Sequence, residues 1–318
     1  MPAMTASADT LPLRLRALLS EAGAARAGFT PCTAVDDDAH ASYLRFIADG
    51  RHGAMAYMAN HLEIRRNPAL LLEDGTARSI VMCTFPYYPG NDAATDATDA
   101  RFALYARGED YHAVLRRRLA PAVSYLEEQG YRSRICIDSA PLRERYWAVR
   151  CGLGFIGLNS QLIVPGLGSY FFLSAIITEA PLPADEPCTG SCGSCGRCVR
   201  ACPTGAIGPD GSFDARRCLS YLTIEYRGEL PPGLPLGSRV YGCDSCQLCC
   251  PHNRGASPTP IAEFHPSPAI ASLTRDEIAS MTHPDFRRIF ALSAVRRLRI
   301  EGLRRNALYK SADFGEKC

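Results

Sequence analysis

Residues 192–203 read Cys192-Gly193-Ser194-Cys195-Gly196-Arg197-Cys198-Val199-Arg200-Ala201-Cys202-Pro203. A second run follows as Cys243-Asp244-Ser245-Cys246-Gln247-Leu248-Cys249-Cys250-Pro251, with Cys218 between the two. Three cysteines at three-residue intervals converge on one iron–sulfur cubane when the chain winds tightly around it, and a further cysteine followed by proline is thrown onto the neighbouring cluster. On that spacing Cys192, Cys195, Cys198 and Cys250 form one 4Fe-4S site, and Cys202, Cys218, Cys243 and Cys246 form a second. Structural zinc takes paired Cys-x2-Cys knuckles and fits this run poorly. A disulfide framework belongs to small secreted domains, whereas this chain has 318 residues and no charged-apolar-small signal pattern over residues 1–23. Cys188 and Cys249 stand as alternative ligands in the same region; Pro251 favours Cys250 over Cys249. Cys32, Cys83, Cys136 and Cys151 lie in apolar stretches and read as small buried side chains.

Working outward, a composition of 47% hydrophobic and 21% charged residues is that of a soluble globular protein of about two domains. No apolar run approaches the roughly 20 residues needed to span a bilayer. The best candidate, residues 170–178, has only the length of a strand. With reduced cysteines the expected compartment is the cytoplasm. A net charge of +2 gives no strong overall attraction to a polyanion, so any nucleic-acid contact has to come from local patches.

Helical spacing of Leu13, Leu15, Leu18 and Leu19 marks a helix over 11–25, followed by a strand over 27–32. Ile80-Val81-Met82-Cys83-Thr84-Phe85 predicts a buried strand within 78–87, ended by the Tyr88-Pro89-Gly90 turn. A helix over 109–129 contains Pro121 and stops at Gly130; a strand follows over 131–138, then a helix opening near Pro141 and running to Gly152. Further strands are read over 161–165 and 169–178. This alternation predicts a layered sheet domain. The stretch 91–100 reads as a small-polar loop, and 180–187, rich in proline and acid, as the linker into the cluster region. Clusters of this kind conduct single electrons, and the long segment before Cys188 implies a catalytic domain receiving them.

Asp138-Ser139-Ala140-Pro141, Glu144-Arg145, Ala148-Val149-Arg150 and Gly152-Leu153-Gly154-Phe155-Ile156-Gly157-Leu158-Asn159 closely resemble the signature segment of the epoxyqueuosine reductases. Similar matches are Tyr105-Ala106-Arg107-Gly108-Glu109-Asp110-Tyr111-His112, the run from Cys218 to Glu225, and Tyr241-Gly242-Cys243-Asp244-Ser245-Cys246-Gln247. The resemblance runs from about residue 13 to 307. It implies an α/β (α+β) fold: a nitroreductase-related corrinoid-binding sheet domain over 1–182, a fused two-cluster ferredoxin-like domain over 183–256, and a helical C-terminal segment over 257–318. Longer members continue past Arg304-Arg305-Asn306-Ala307 into HEAT-like repeats, whereas this chain ends at Cys318.

The implied activity is reduction of epoxyqueuosine to queuosine at the wobble position of tRNA, an oxidoreductase step using cobalamin and two 4Fe-4S clusters. The implied partners are tRNA containing epoxyqueuosine and an external low-potential electron donor, with the chain acting as a monomer off the membrane. An Asp-x-His-x-x-Gly pattern is absent, in keeping with the family's base-off corrin. Asp138 matches the family's proton donor; as a plain sequence feature it also reads as a helix cap. Carried over as cobalamin contacts are Arg65, Ala103, Asp138, Leu162, Ser220 and Asp244. Arg65 also reads as a solvated helix-end arginine, and Ala103 stands where some members carry cysteine. Arg296, Arg297, Arg299, Arg304 and Arg305, interleaved with Leu298, Ile300 and Leu303, form a basic amphipathic stretch suited to phosphate contacts or to a solvated helix face. Two other readings stand beside this one: a corrinoid reductive dehalogenase and a non-enzymatic electron-transfer protein.

Overall fold

The computed structural model describes residues 10–90 and 98–311; most of the expected 91–100 loop lies outside them. The apolar run at Ile80 forms β2 (Ser79–Pro86), and its alternate side chains divide between two cores. Val81, Cys83 and Phe85 face one side with Leu15 and Leu19 of α1 (Thr10–Glu21), whereas Ile80 and Met82 face the other. Covering both faces of a strand demands a continuous apolar run, which is why this segment lacks polar alternation.

Around β2 the sheet has the order β1-β2-β7-β4, with β1 (Arg26–Pro31), β4 (Ser133–Cys136) and β7 (Phe171–Thr178), and every neighbouring pair is antiparallel. The three intervening chain segments supply α2 (Asp37–Ala48), α3 (Leu62–Arg66), α4 (Tyr111–Glu128) and α5 (Glu144–Arg150), making helical layers against the sheet. Pro121 lies inside α4 without dividing it, and Gly130, at φ +85°, follows its end. Gly28 of β1 permits the close approach of α5: a Cβ there would come within 1.9 Å of the Cys151 carbonyl oxygen.

The cluster region is tied to this sheet domain by a buried polar network. Gln247 Nε2 donates to Ser169 O at 2.9 Å, Asn253 Nδ2 donates to Gln247 O at 2.8 Å, and Asn253 Oδ1 accepts Ser169 N–H at 2.6 Å. A third core joins distant parts of the chain: Phe102 beside Val240 and Tyr241, with Ile278, Phe290, Leu298 and Leu303 from the C-terminal helices. Its spine is the parallel pair β3 (Arg101–Phe102) and β8 (Arg239–Tyr241), while β5 (Phe155–Ile156) and β6 (Leu162–Ile163) form a separate antiparallel pair. Among the described residues no helix is long and apolar enough to cross a membrane.

Candidate active site

The cysteines fall into two groups in space. Burial raises the thiol pKa of Cys198, with the charge of Cys192 next and that of Cys250 also contributing; Cys250 in turn responds to Cys192 and Cys195. Burial likewise pushes Cys246 far up, followed by Cys243, with Cys218 and Cys202 also contributing, and burial first, then the charges of Cys243 and Cys202, raises Cys218 to about 11. Cys192, Cys195, Cys198 and Cys250 line one cavity, together with Asn159 and Ile163. Gly157 keeps its edge clear, since a Cβ there would stand 3.3 Å from Cys192 Sγ and 2.6 Å from Ile163. The fourteen described cysteines are all free thiols. Among the described residues no group of His, Cys, Asp or Glu is arranged to chelate a single metal ion. A cubane holds its thiolates farther apart than one ion does, so that finding and two cysteine quartets are compatible.

Asp138 lies two residues beyond β4, in the loop leading to α5. It has φ +51°, a left-handed conformation that Asp tolerates better than most residues, and it centres a three-residue turn in which Ser139 N–H donates to Ile137 O at 2.5 Å. Its own N–H donates to Glu144 Oε1 at 2.7 Å. It does not cap α5, which starts six residues later with Arg143 as its N-cap and no side-chain cap bond. Backbone strain held by neighbouring contacts is a recurrent feature of functional loops.

Two side chains converge on this carboxylate. Tyr111 OH donates to Asp138 Oδ2 at 2.9 Å, and His112 Nε2 stands 3.4 Å from the same oxygen. His112 Nδ1 is 2.7 Å from Asp110 Oδ1, while Asp110 also caps α4 by accepting His112 N–H. Tyr111 is stacked between the His112 ring at 4.1 Å and Phe172 of β7 at 4.4 Å. Desolvation pulls the Asp138 carboxyl upward, but hydrogen bonds from His112 and Tyr111 and the charge of His112 hold it below the ordinary aspartate range. Its side chain remains 53% exposed, so solvent reaches the outer part of a carboxylate whose inner side is well packed. For His112, desolvation favours the neutral ring, yet bonds to Asp110 and Asp138 outweigh it and raise the pKa to about 9. Desolvation, then the charge of Asp138, pushes Glu144 up to about 8.

The positions expected beside a corrin are more dispersed. Arg65 is tied to main-chain carbonyls, Nε to Asn60 O at 3.0 Å and Nη2 to Tyr57 O at 2.9 Å. Ala103 and Leu162 are buried, and Ser220 follows Cys218 in the helix Leu219–Ile224. Asp244 is buried, accepts Leu104 N–H at 2.9 Å through Oδ2, and is raised by desolvation to about 6. Arg143 has a buried Nη1 with no acceptor among the described residues, and its guanidinium lies 5.1 Å from the Tyr43 ring and 5.3 Å from that of Tyr146.

Residues 191–253 match the family described as a 4Fe-4S double cluster binding domain, and residues 65–139 match "Epoxyqueuosine reductase QueG, DUF1730". An epoxyqueuosine reductase of Cyclobacterium marinum is 40% identical over 260 residues, covering 80% of this chain and 82% of that one. The chain belongs to the epoxyqueuosine reductase family. Another member, from Synechocystis, is 38% identical over 287 residues, covering 88% of this chain and 98% of its own. A crystal structure of epoxyqueuosine reductase with an epoxyqueuosine-modified tRNA stem loop superposes with a TM-score of 0.86 at 31% identity, covering 95% of this chain and 80% of that one. A Bacillus subtilis epoxyqueuosine reductase, in which an aspartate catalytic loop is swung out of the active site, gives a TM-score of 0.83 at 30% identity, covering 95% and 81%.

Epoxyqueuosine reductase membership makes this an oxidoreductase with a double 4Fe-4S domain. It also gives context to features for which residue reading supplied no role. Tyr111, His112 and Glu144 occur within the matching sequence segments, but their convergence on Asp138 depends on how α4 and α5 pack against β4 and β7. Arg296 and Arg299 are exposed, but Arg297, Arg304 and Arg305 are engaged within the protein. Arg297 is committed to Glu225 at 2.7 and 3.0 Å; Arg305 donates to the carbonyls of Tyr226 and Gly228 at 2.7 Å and Leu222 at 3.0 Å; and Arg304 donates to Met281 O. Arg297 and Arg305 thereby tie the C-terminal helices to residues 222–228, while Arg304 stays within the C-terminal segment, so these three are poorly placed to serve as free cations.

Proposed function

We propose that this chain reduces epoxyqueuosine to queuosine at the wobble position of tRNA, drawing electrons from an external low-potential donor through two 4Fe-4S clusters to a base-off cobalamin. One observation carries the reading: a chain of this family combines two cysteine quartets with an aspartate held by Tyr111 and His112 on a strained, solvent-facing loop. We assign Cys192, Cys195, Cys198 and Cys250 to one cluster and Cys202, Cys218, Cys243 and Cys246 to the other. The charge couplings among these thiols support the division. The three segments proposed as domains are 1–182, 183–256 and 257–318. The proposed working form is a cytoplasmic monomer that meets a tRNA in solution.

The cavity among Cys192, Cys195, Cys198 and Cys250 fits a cluster by donor chemistry. Fit to a corrin rests on Arg143, whose unpartnered buried N–H suits the amide carbonyls at a corrin rim. Arg65, Ala103, Asp138, Leu162, Ser220 and Asp244 are the other positions proposed beside it. Cobalamin, when bound and reduced, supplies a strong nucleophile or one-electron donor. Asp138 holds the proton for the departing epoxide oxygen, and a bound nucleoside excluding water from its exposed side would raise its pKa toward the proton-donating form. Tyr111 and Glu144 fix the carboxyl and its backbone, respectively.

Anaerobic reconstitution with iron, sulfide and cobalamin, followed by visible spectroscopy, tests this assignment against an electron carrier. Uptake of cobalamin alongside the clusters is expected. Cluster formation with no corrinoid bound would sink the enzymatic reading.

A further inference from the structure

Removing an epoxide oxygen as water consumes two protons, whereas Asp138 can donate only one before it must be recharged. The structure offers an internal route for recharging. Asp110, His112 and Asp138 form a line of carboxylate, imidazole and carboxylate, with His112 Nδ1 2.7 Å from Asp110 Oδ1 and Nε2 3.4 Å from Asp138 Oδ2. Two carboxylate acceptors, one at each ring nitrogen, match an imidazole that carries both protons. Asp110 is fixed as the α4 cap and Tyr111 pins the far carboxylate, so neither acceptor is free to turn away. His112 is 30% exposed and can exchange protons with solvent beside the site.

We infer that His112 is a positioning and proton-supply residue that reloads Asp138, so that both protons leaving with the oxygen travel from solvent through His112 and Asp138. The inference rests on the proposed epoxyqueuosine chemistry. In the first transfer, Nε2–H passes its proton to Asp138 Oδ2, and Asp138 protonates the ring oxygen as one C–O bond breaks. His112 regains a proton from solvent, and the same transfer serves the resulting hydroxyl as the second C–O bond breaks. Two electrons from the low-potential donor complete the carbon–carbon double bond, and one water leaves. His112 keeps its Nδ1 proton throughout, donated to Asp110, which so keeps the imidazole oriented.

The groups bearing on the pair are Asp110 and Tyr111 at the start of α4, Glu144 from α5, Tyr57, Tyr105, and Arg297 from the C-terminal segment; Arg296 and Tyr241 act on Asp110. The carboxylates prevail at His112, whose pKa of about 9 keeps it charged at neutral pH. Because the protonated ring is the working form, activity falls as pH rises through that value.

Two measurements test this. In holoenzyme with oxidised clusters and labelled histidine, the His112 resonances are expected to titrate near pH 9 and to move downward in Asp138→Asn; a midpoint at the ordinary 6.5 overturns the inference. In His112→Asn, kcat with an epoxyqueuosine stem-loop is expected to drop about 10²-fold, with KM within about threefold of wild type and the alkaline limb near pH 9 lost. A variant kcat within about threefold of wild type, or the same alkaline limb, overturns it. If the variant does not load its clusters, the titration of the unmodified protein decides alone. Failure of the wild-type chain to turn over the stem-loop counts against the functional reading, and is distinguishable from a normal wild type paired with a fully active variant.

Discussion

Asn159 lies between Cys246 and the cavity bounded by Cys192, Cys195, Cys198 and Cys250: its Nδ2 donates to the Cys246 carbonyl at 3.3 Å, and the residue lines that cavity. Asn159 Oδ1 is occupied as well, accepting Gln161 N–H at 3.2 Å. Replacing it by leucine keeps the bulk and removes both bonds. Because the residue is buried, the loss is expected to cost about 1–3 kcal/mol and to lower the midpoint of thermal unfolding. Iron should also be lost faster to a chelator. Unchanged melting and iron retention would show that the bridge is incidental.

The neighbouring thiols Cys249 and Cys250 separate by the same logic. Cys250 is buried and responds to Cys192 and Cys195, whereas Cys249 Sγ turns to the Cys246 carbonyl at 3.6 Å. Cys250→Ala should therefore retain about four irons per chain, and Cys249→Ala about eight. Iron and sulfide analysis after anaerobic reconstitution reads the difference directly. The reverse pattern would exchange the roles of the two residues.

Glu144 carries a pH signature. Its pKa rises on folding from 4.5 to about 8, so the folded state favours the protonated carboxyl. The stability this contributes is fully present below about 4.5 and is lost as pH climbs through about 8. Glu144→Gln retains an acceptor for Asp138 N–H without the charge. Its melting temperature relative to wild type should therefore rise steadily between those two values. A difference independent of pH would mean that Glu144 is already ionised in the folded protein.

Asp138→Asn should abolish turnover, with a loss of at least about 10²-fold, while both clusters stay loaded. Asparagine also tolerates positive φ, so the loop is expected to keep its shape. Single-turnover assays with spectroscopic monitoring of the clusters would reveal this. Substantial activity in the variant would remove Asp138 from proton transfer.

Much of this was legible from residues, and the parts that were not share a cause. The strand at Ile80 and the Pro121-containing helix depend on local spacing, and each appears in the structure near its expected bounds. The antiparallel order of the sheet depends on pairing between β2 and β7, some ninety residues apart, which no local pattern encodes. Likewise Asp138 was visible as a candidate acid, but His112 meets it only because α4 begins beside the end of β4. The internal engagement of Arg304 and Arg305 was hidden for a related reason: amphipathic spacing records which residues are charged, whereas the carbonyls of Leu222, Tyr226, Gly228 and Met281 that engage them lie elsewhere in the chain.

The most direct test is nucleoside analysis by mass spectrometry after the reduced, cluster- and cobalamin-loaded chain has been incubated with an epoxyqueuosine-containing anticodon stem-loop, alongside a chlorophenol control. Conversion of epoxyqueuosine to queuosine, with the chlorophenol untouched, is the expected result. Unchanged epoxyqueuosine in a fully loaded enzyme, or dechlorination in its place, would contradict the assignment.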